Sequence, residues 1–351
     1  MNNYIKTLSI VLAFLVLTFS ACKSVIKAEP NLQTKEETTE VSSKSEVSSL
    51  VEDIGNETSS VESAVESEQT EQKNEYNDLL FEMEDCGNEL FAFGDLEAQE
   101  FSSALDELET ILKTYNNEVS VVAYSLDNRK VVGFNTESGI FAACTVKAAY
   151  ALYCLKQMEK GVGSLNTKMT YQEKHYESGT GDLQYSPYGT EFSMKTIISK
   201  SLRISDNVGY MMMVDYFGRD SYNEWIEGLG CPSLKIEPTV WSLRTKARDL
   251  VVIWREIYNY FKQDSVYSKF LYDSCTNTGN NFLTVSLSDT DYSHKEGHES
   301  RGDWLSLSDA GIIWKENSPY IVAIITNAPG ITSADCRMFS DVMEIIDKKL
   351  F

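Results

Sequence analysis

From Cys144 to Gly161 the chain is apolar on nearly every side of a helix. Ala148, Ala149, Leu152, Leu155 and Met158 recur at helical spacing with few charges between them. A helix of this kind has no face to give to water. It must run through the centre of a large domain, with other elements packed around it. At its start stand Cys144-Thr145-Val146-Lys147. Three residues apart, the thiol and the amine share one helix face. A lysine and a helix N-terminus both draw a thiol toward thiolate, which is how an activated nucleophile is built. Taken alone, the same four residues also describe a small buried cysteine beside a solvated lysine.

The N-terminus reads as a processing signal. Lys6 supplies a weak positive charge, and the apolar run from Leu8 to Phe19 is too short for a comfortable membrane span. It ends in Phe19-Ser20-Ala21-Cys22, which resembles the lipobox of bacterial lipoproteins. That resemblance implies cleavage after residue 21, lipidation of Cys22 and a protein anchored to the cell membrane on its extracytoplasmic face. Phe19 departs from the usual leucine, and an ordinary signal peptide cleaved nearby is the alternative. Residues 23–75 then form a linker rich in Ser, Thr and Glu and free of aromatics. Such a segment cannot bury enough surface to offset the entropy of ordering it. It carries about 13 acids against about 5 lysines, roughly −8 of the chain's −22. That acidity argues against nucleic acid as a partner and for an extended spacer.

Residues 76–351 are long enough for a sizeable core. Six of the seven cysteines fall there, at Cys86, Cys144, Cys154, Cys231, Cys275 and Cys336, with no spacing that reads as a disulfide framework. Cys86, Cys231, Cys275 and Cys336 are free to pair, with no rule to say how. His175, His294 and His298 are the only histidines, and no spacing suggests a metal or other cofactor. Apolar periodicity predicts a helix over 99–115 and strands over 119–126 and 130–134, joined by a turn at Asp127-Asn128-Arg129. Helices and Gly-rich loops, including Ser178-Gly179-Thr180-Gly181, fill about 161–261. Strands are expected at 282–287, 305–314 and 320–326, with an amphipathic helix over 333–350. The order predicts an α/β fold: an antiparallel sheet flanked by helices, an inserted all-helical subdomain, and a cleft between them.

Two further motifs follow Cys144 at telling distances, Ser205-Asp206-Asn207 and His294-Lys295-Glu296-Gly297. Each is weak alone, since Ser-Asp-Asn is commonly a turn or an N-cap. With the Cys-x-x-Lys box, Pro187-Tyr188-Gly189-Thr190 and Thr245-Lys246-Ala247-Arg248-Asp249-Leu250, their order resembles the class A β-lactamases and related penicillin-binding proteins. The similarity runs from about Val119 to the C-terminus. It implies that Cys144 attacks a carbonyl to form an acyl-enzyme, that Lys147 takes or holds its proton, and that Ser205 relays a proton to the leaving nitrogen. It further implies that Lys295 supplies positive potential and that Asn207 binds the substrate's amide side chain. The backbone N–H groups of Cys144 and His298, beside Gly297, would form the oxyanion hole.

The departures are as informative. The family has serine where this chain has Cys144, so the acyl-enzyme would be a thioester, a good acyl donor to amines as well as to water. Glu296 replaces a hydroxyl residue that touches the substrate carboxylate, and would repel such a group. Ile236-Glu237-Pro238 only superficially matches the loop that carries the deacylating base, leaving Glu237 a poor candidate. Glu296 and His298 alternate on a strand, so Cys144, His298 and Glu296 are also open to a cysteine–histidine–carboxylate arrangement. The leading expectation is a lipid-anchored hydrolase or acyl transferase acting on a β-lactam or a peptidoglycan-like amide. The alternative is a non-catalytic module binding cell-wall peptide or a protein partner.

Overall fold

A computed structural model of the chain describes residues 89–351, apart from 94–98, 128–129, 238–243, 277, 279–280, 288–289 and 317. The leader with Cys22, the linker, Cys86, the Asn128-Arg129 turn and Pro238 lie outside the described residues. Among the described residues no helix is long and apolar enough to cross a membrane.

The chain begins with β1 (Phe91–Phe93), α1 (Gln99–Thr114), β2 (Val119–Ser125), β3 (Val131–Phe134) and β4 (Ile140–Phe141). A 3-10 turn over Ala143–Val146 leads into α2 (Lys147–Glu159). A ribbon of β5 (Lys168–Thr170) and β6 (Glu191–Ser193) precedes α3 (Met194–Arg203), α4 (Asn207–Phe217) and α5 (Asp220–Gly228). Next come β7 (Arg244–Thr245), α6 (Ala247–Phe261) and α7 (Val266–Cys275). The chain closes with β8 (Asp291–Glu299), β9 (Ser306–Trp314), β10 (Tyr320–Thr326) and α8 (Ser333–Ile345), whose last turn widens to a π-helix over Ile346–Leu350.

Six strands form one antiparallel sheet in the order β1-β3-β2-β10-β9-β8. Period-two alternation sorts their side chains onto two faces. Val119, Val121 and Ala123 of β2, with Val322 and Ile324 of β10, pack with Leu108 and Leu112 of α1 and Phe339 and Val342 of α8. Val122 and Tyr124, with Ile321, Ala323 and Ile325, join the core that holds α2 and α6. Both faces are covered, so these strands read as nearly continuous apolar runs. Each fully buried Val, Leu or Ile contributes about 1.5–3 kcal/mol relative to exposure.

The expected central helix is there. Tyr150, Leu152, Tyr153, Cys154 and Leu155 of α2 are all buried, and the two phenols reach Gly218 O and Ser221 Oγ, each at 2.8 Å. Gly161, at φ +88°, ends the helix in the left-handed region that glycine takes without strain. Three expectations are corrected. Residues 282–287 form turns rather than a strand, because the buried Asp309 carboxylate accepts from Phe282 N at 2.9 Å and Leu283 N at 3.4 Å. The helical layer does not end at about 261, since α7 packs against α2, α3 and α6. Conversely α6, the last helix of that stretch, also lies across β2, β9 and β10. Cys144, Cys154, Cys231 and Cys275 are buried free thiols, so no pairing uses Cys231 or Cys275.

Candidate active site

The Cys144 turn is clamped against the edge of the sheet. Thr145 Oγ1 lies 2.6 Å from Ser308 Oγ on β9, and that hydroxyl donates to Ala142 O at 2.7 Å. On β8, Gly297 faces the same turn, and a Cβ there would overlap Ala142 O and Thr145 Oγ1. Glycine is needed for this close approach. Ala143, immediately before the thiol, is held at φ +47°, and Ser205 at φ +58°. Non-glycine residues hold such angles at a cost of order 1–3 kcal/mol, and they concentrate at functional sites.

Lys147 is wholly buried, which corrects the reading of a solvated lysine. Its Nζ donates to Ser205 O and to Asn207 Oδ1, both at 2.6 Å. The Cys144 thiol, 7 % exposed, contacts the same Asn207 Oδ1 at 3.9 Å. Burial pushes the Lys147 pKa below its ordinary 10.5, against the pull of the Cys144 side chain; Lys295 lowers it further, and Glu296 opposes. An amine depressed in this way can hold or accept the thiol proton.

Ser205 is gripped from two sides. Its carbonyl takes Lys147 and Thr180 Oγ1 at 2.7 Å, and its Oγ accepts from Lys295 Nζ at 2.9 Å. The loop over Ser178–Gly181 is held by the motif's other members. Asn207 Nδ2 donates to Ser178 O at 2.9 Å. The buried Asp206 carboxylate accepts from Asp182 N and Leu183 N while capping α4 through Gly209 N. Gly181, at φ +99°, lets the loop pass against Asp206. Ser-Asp-Asn thus caps α4 and holds the 178–181 loop at once.

Lys295 is also fully buried, and besides Ser205 it binds the carbonyl of Glu296 at 2.8 Å and forms an ion pair with its carboxylate. Glu296 therefore turns to its neighbour and not to His298, which is exposed. The cysteine–histidine–carboxylate arrangement is not assembled: the thiol meets Asn207 and the carboxylate meets Lys295. Arg301, further along the same segment, binds Glu299 and not Glu296. Glu237 is exposed where the described chain stops at 237.

Thiol, amine, hydroxyl and second amine thus converge from the start of α2, the α3–α4 loop and the edge strand β8. A match to the pattern of the Beta-lactamase enzyme family covers residues 103–346. The chain belongs to this family. Beta-lactamase VEB-1 of Pseudomonas aeruginosa is 21% identical over 266 residues, 68% of this chain and 87% of that one. A mutant of PBP-A, solved as an acyl-enzyme complex with penicillin G, has 19% identity and a TM-score of 0.60. The match covers 70% of this chain and 97% of that one. A β-lactamase from Chitinophaga pinensis gives 0.63 at 18% identity, over 70% and 98%. These structures share the α/β fold, with its antiparallel sheet flanked by helices.

The sequence singles out Cys144, Lys147, Ser205, Asn207, Lys295, Glu296 and Gly297 as candidates, and the structure brings these seven together. Sequence reasoning missed Thr180, which supports Ser205, and Thr145 and Ser308, which seat the thiol. The Gly-Thr-Gly spacing was the only signal for Thr180. Thr145 and Ser308 gave none, because their partners lie far along the chain.

Proposed function

We propose that this chain is an acyl-transferring enzyme that opens an amide through a thioester on Cys144. The observation that carries this reading is the solvent-free Lys147 amine, its pKa lowered by burial, beside the Cys144 thiol and linked to Ser205. Lys147 Nζ takes the thiol proton as Sγ attacks the carbonyl carbon, giving a tetrahedral intermediate. Collapse breaks the C–N bond, and the leaving nitrogen takes its proton from Ser205 Oγ–H; the proton carried by Lys147 restores that hydroxyl when Nζ moves from the Ser205 carbonyl, which it contacts at 2.6 Å, to Oγ. Lys295 orients the Ser205 hydroxyl by donating to its Oγ. Asn207 holds the Lys147 amine in place, a positioning role added to the substrate contact that the family resemblance implies. The backbone N–H groups of Cys144 and His298 stabilise the oxyanion.

Water or an amine then takes the acyl group from sulfur. Among the described residues the candidate base, Glu237, is exposed, which favours transfer to an amine or a long-lived thioester over rapid hydrolysis. Export through the 1–22 leader and anchoring through Cys22, on the acidic 23–75 spacer, would put the domain at the cell membrane's outer face. Cell-wall-like amides and β-lactams are met there. Iodoacetamide alkylation of Cys144 tests the proton step. Lys147→Met is expected to slow it at neutral pH by about tenfold or more. An unchanged rate in the folded variant would contradict the assignment.

A further inference from the structure

Lys295 has no hydrogen left to give. An ammonium carries three N–H donors, and three acceptors take them: Ser205 Oγ, the Glu296 carbonyl and Glu296 Oε2. The cation that stands beside the Ser205 hydroxyl is therefore saturated by hydrogen bonds, and its charge is cancelled by a partner that is itself mostly buried. The other oxygen of that partner, Glu296 Oε1, takes part in no hydrogen bond among the described residues. A mostly buried carboxylate whose second oxygen is unengaged, beside the lysine that holds Ser205, is a strong acceptor. A second carboxylate brought there would meet repulsion at low dielectric with no Lys295 hydrogen left to repay it.

We infer that the side of the cleft next to Ser205 selects an acyl donor whose leaving portion presents an N–H donor, a carboxamide or an ammonium, and rejects one that presents a carboxylate. Glu296 is the residue that decides it. This rests on the reading of Cys144, Lys147 and Ser205 as acyl-transfer groups, because they fix which end of the substrate lies at Lys295. The leaving amine would then carry its N–H group toward Glu296 Oε1 while the carbonyl carbon sits at Cys144 Sγ.

Benzylpenicillin and its carboxamide form a matched pair, differing only in that one group. Calorimetric binding to the full chain carrying Cys144→Ala, where no acyl bond can form on sulfur, reads the preference without the chemistry. The carboxamide is expected to bind at least about tenfold more tightly. Adding Glu296→Gln, which keeps the shape and removes the charge, is expected to abolish or reverse that ratio. Glu296→Thr serves as a second variant if the glutamine protein does not fold. Tighter binding of the free acid, a ratio that neither variant moves, or binding of neither compound at millimolar concentration overturns the inference. Intact-mass measurement of acylation on the Cys144 protein separates it from the reading beneath. A binding preference for the amide without acylation leaves the selectivity standing and removes the nucleophile. Acylation that ignores the carboxamide does the reverse.

Discussion

Lys147 Nζ serves one carbonyl and one amide oxygen in a pocket without solvent, and that enclosure has a thermodynamic signature. Its folded pKa lies below 10.5, the value it regains on unfolding. Between the two values the unfolded chain binds more protons, so stability rises with pH across that window. Below the folded pKa the cost of burying the charge is complete. Lys147→Met, of similar volume and without charge, is therefore expected to be more stable than the parent at neutral pH. Its advantage should shrink as pH rises toward 10.5, as read by urea unfolding at several pH values. An advantage that grows with pH would show that the amine is not depressed. Cys144→Ser should retain the fold, since only one atom changes in a buried turn. Its acylation should slow by tenfold or more, because a hydroxyl is much harder to ionise than a thiol.

At the scale of elements, the site depends on two close approaches that glycine and a buried carboxylate permit. Gly297 lets β8 meet the Cys144 turn where a Cβ would strike backbone. Gly297→Ala is expected to cost about 1–3 kcal/mol of stability and to reduce Cys144 acylation, read by thermal unfolding and by adduct formation. Asp206 accepts three backbone N–H bonds that join the 178–183 loop to the start of α4. Asp206→Ala leaves those donors unpaired, with an expected loss of about 3 kcal/mol and weaker protection of the 179–183 amides from hydrogen exchange. The same scale explains what the sequence shows and hides. The strands β2 and β10 and the helix α2 are apolar in patterns that local reading resolves. β8, Asp-Tyr-Ser-His-Lys-Glu-Gly-His-Glu, is polar and without alternation; only its Lys-x-Gly resemblance marks it. Residues 282–287 look like a strand because their apolar side chains are visible. The Asp309 carboxylate that turns their backbone is 26 and 27 positions away. Glu296 pairs with the next residue, Lys295, a local contact; the far contact is that lysine's bond to Ser205 Oγ, 90 positions away.

For the whole molecule, the two-faced sheet explains why a site can tolerate strained, charged and buried polar groups. The apolar clusters on both sides of β2 and β10 supply the stability against which the Ala143 and Ser205 conformations and the Lys147 and Lys295 burials are set. The leader and spacer are expected to decide where this domain works. Cys22→Ala should move the protein from the membrane fraction to the medium or soluble fraction and abolish fatty-acid labelling. Unchanged labelling would place the anchor elsewhere. The central claim, that Cys144 accepts an acyl group, is tested most directly by intact-protein mass spectrometry after incubation with benzylpenicillin carboxamide, with Cys144→Ala in parallel. The expected result is a single adduct of the compound's mass that maps to the Cys144 peptide and is missing from the variant. A Cys144 left unmodified by the carboxamide and by benzylpenicillin alike, in protein whose thiol still reacts with iodoacetamide, would contradict the claim and leave a cleft that binds without transferring.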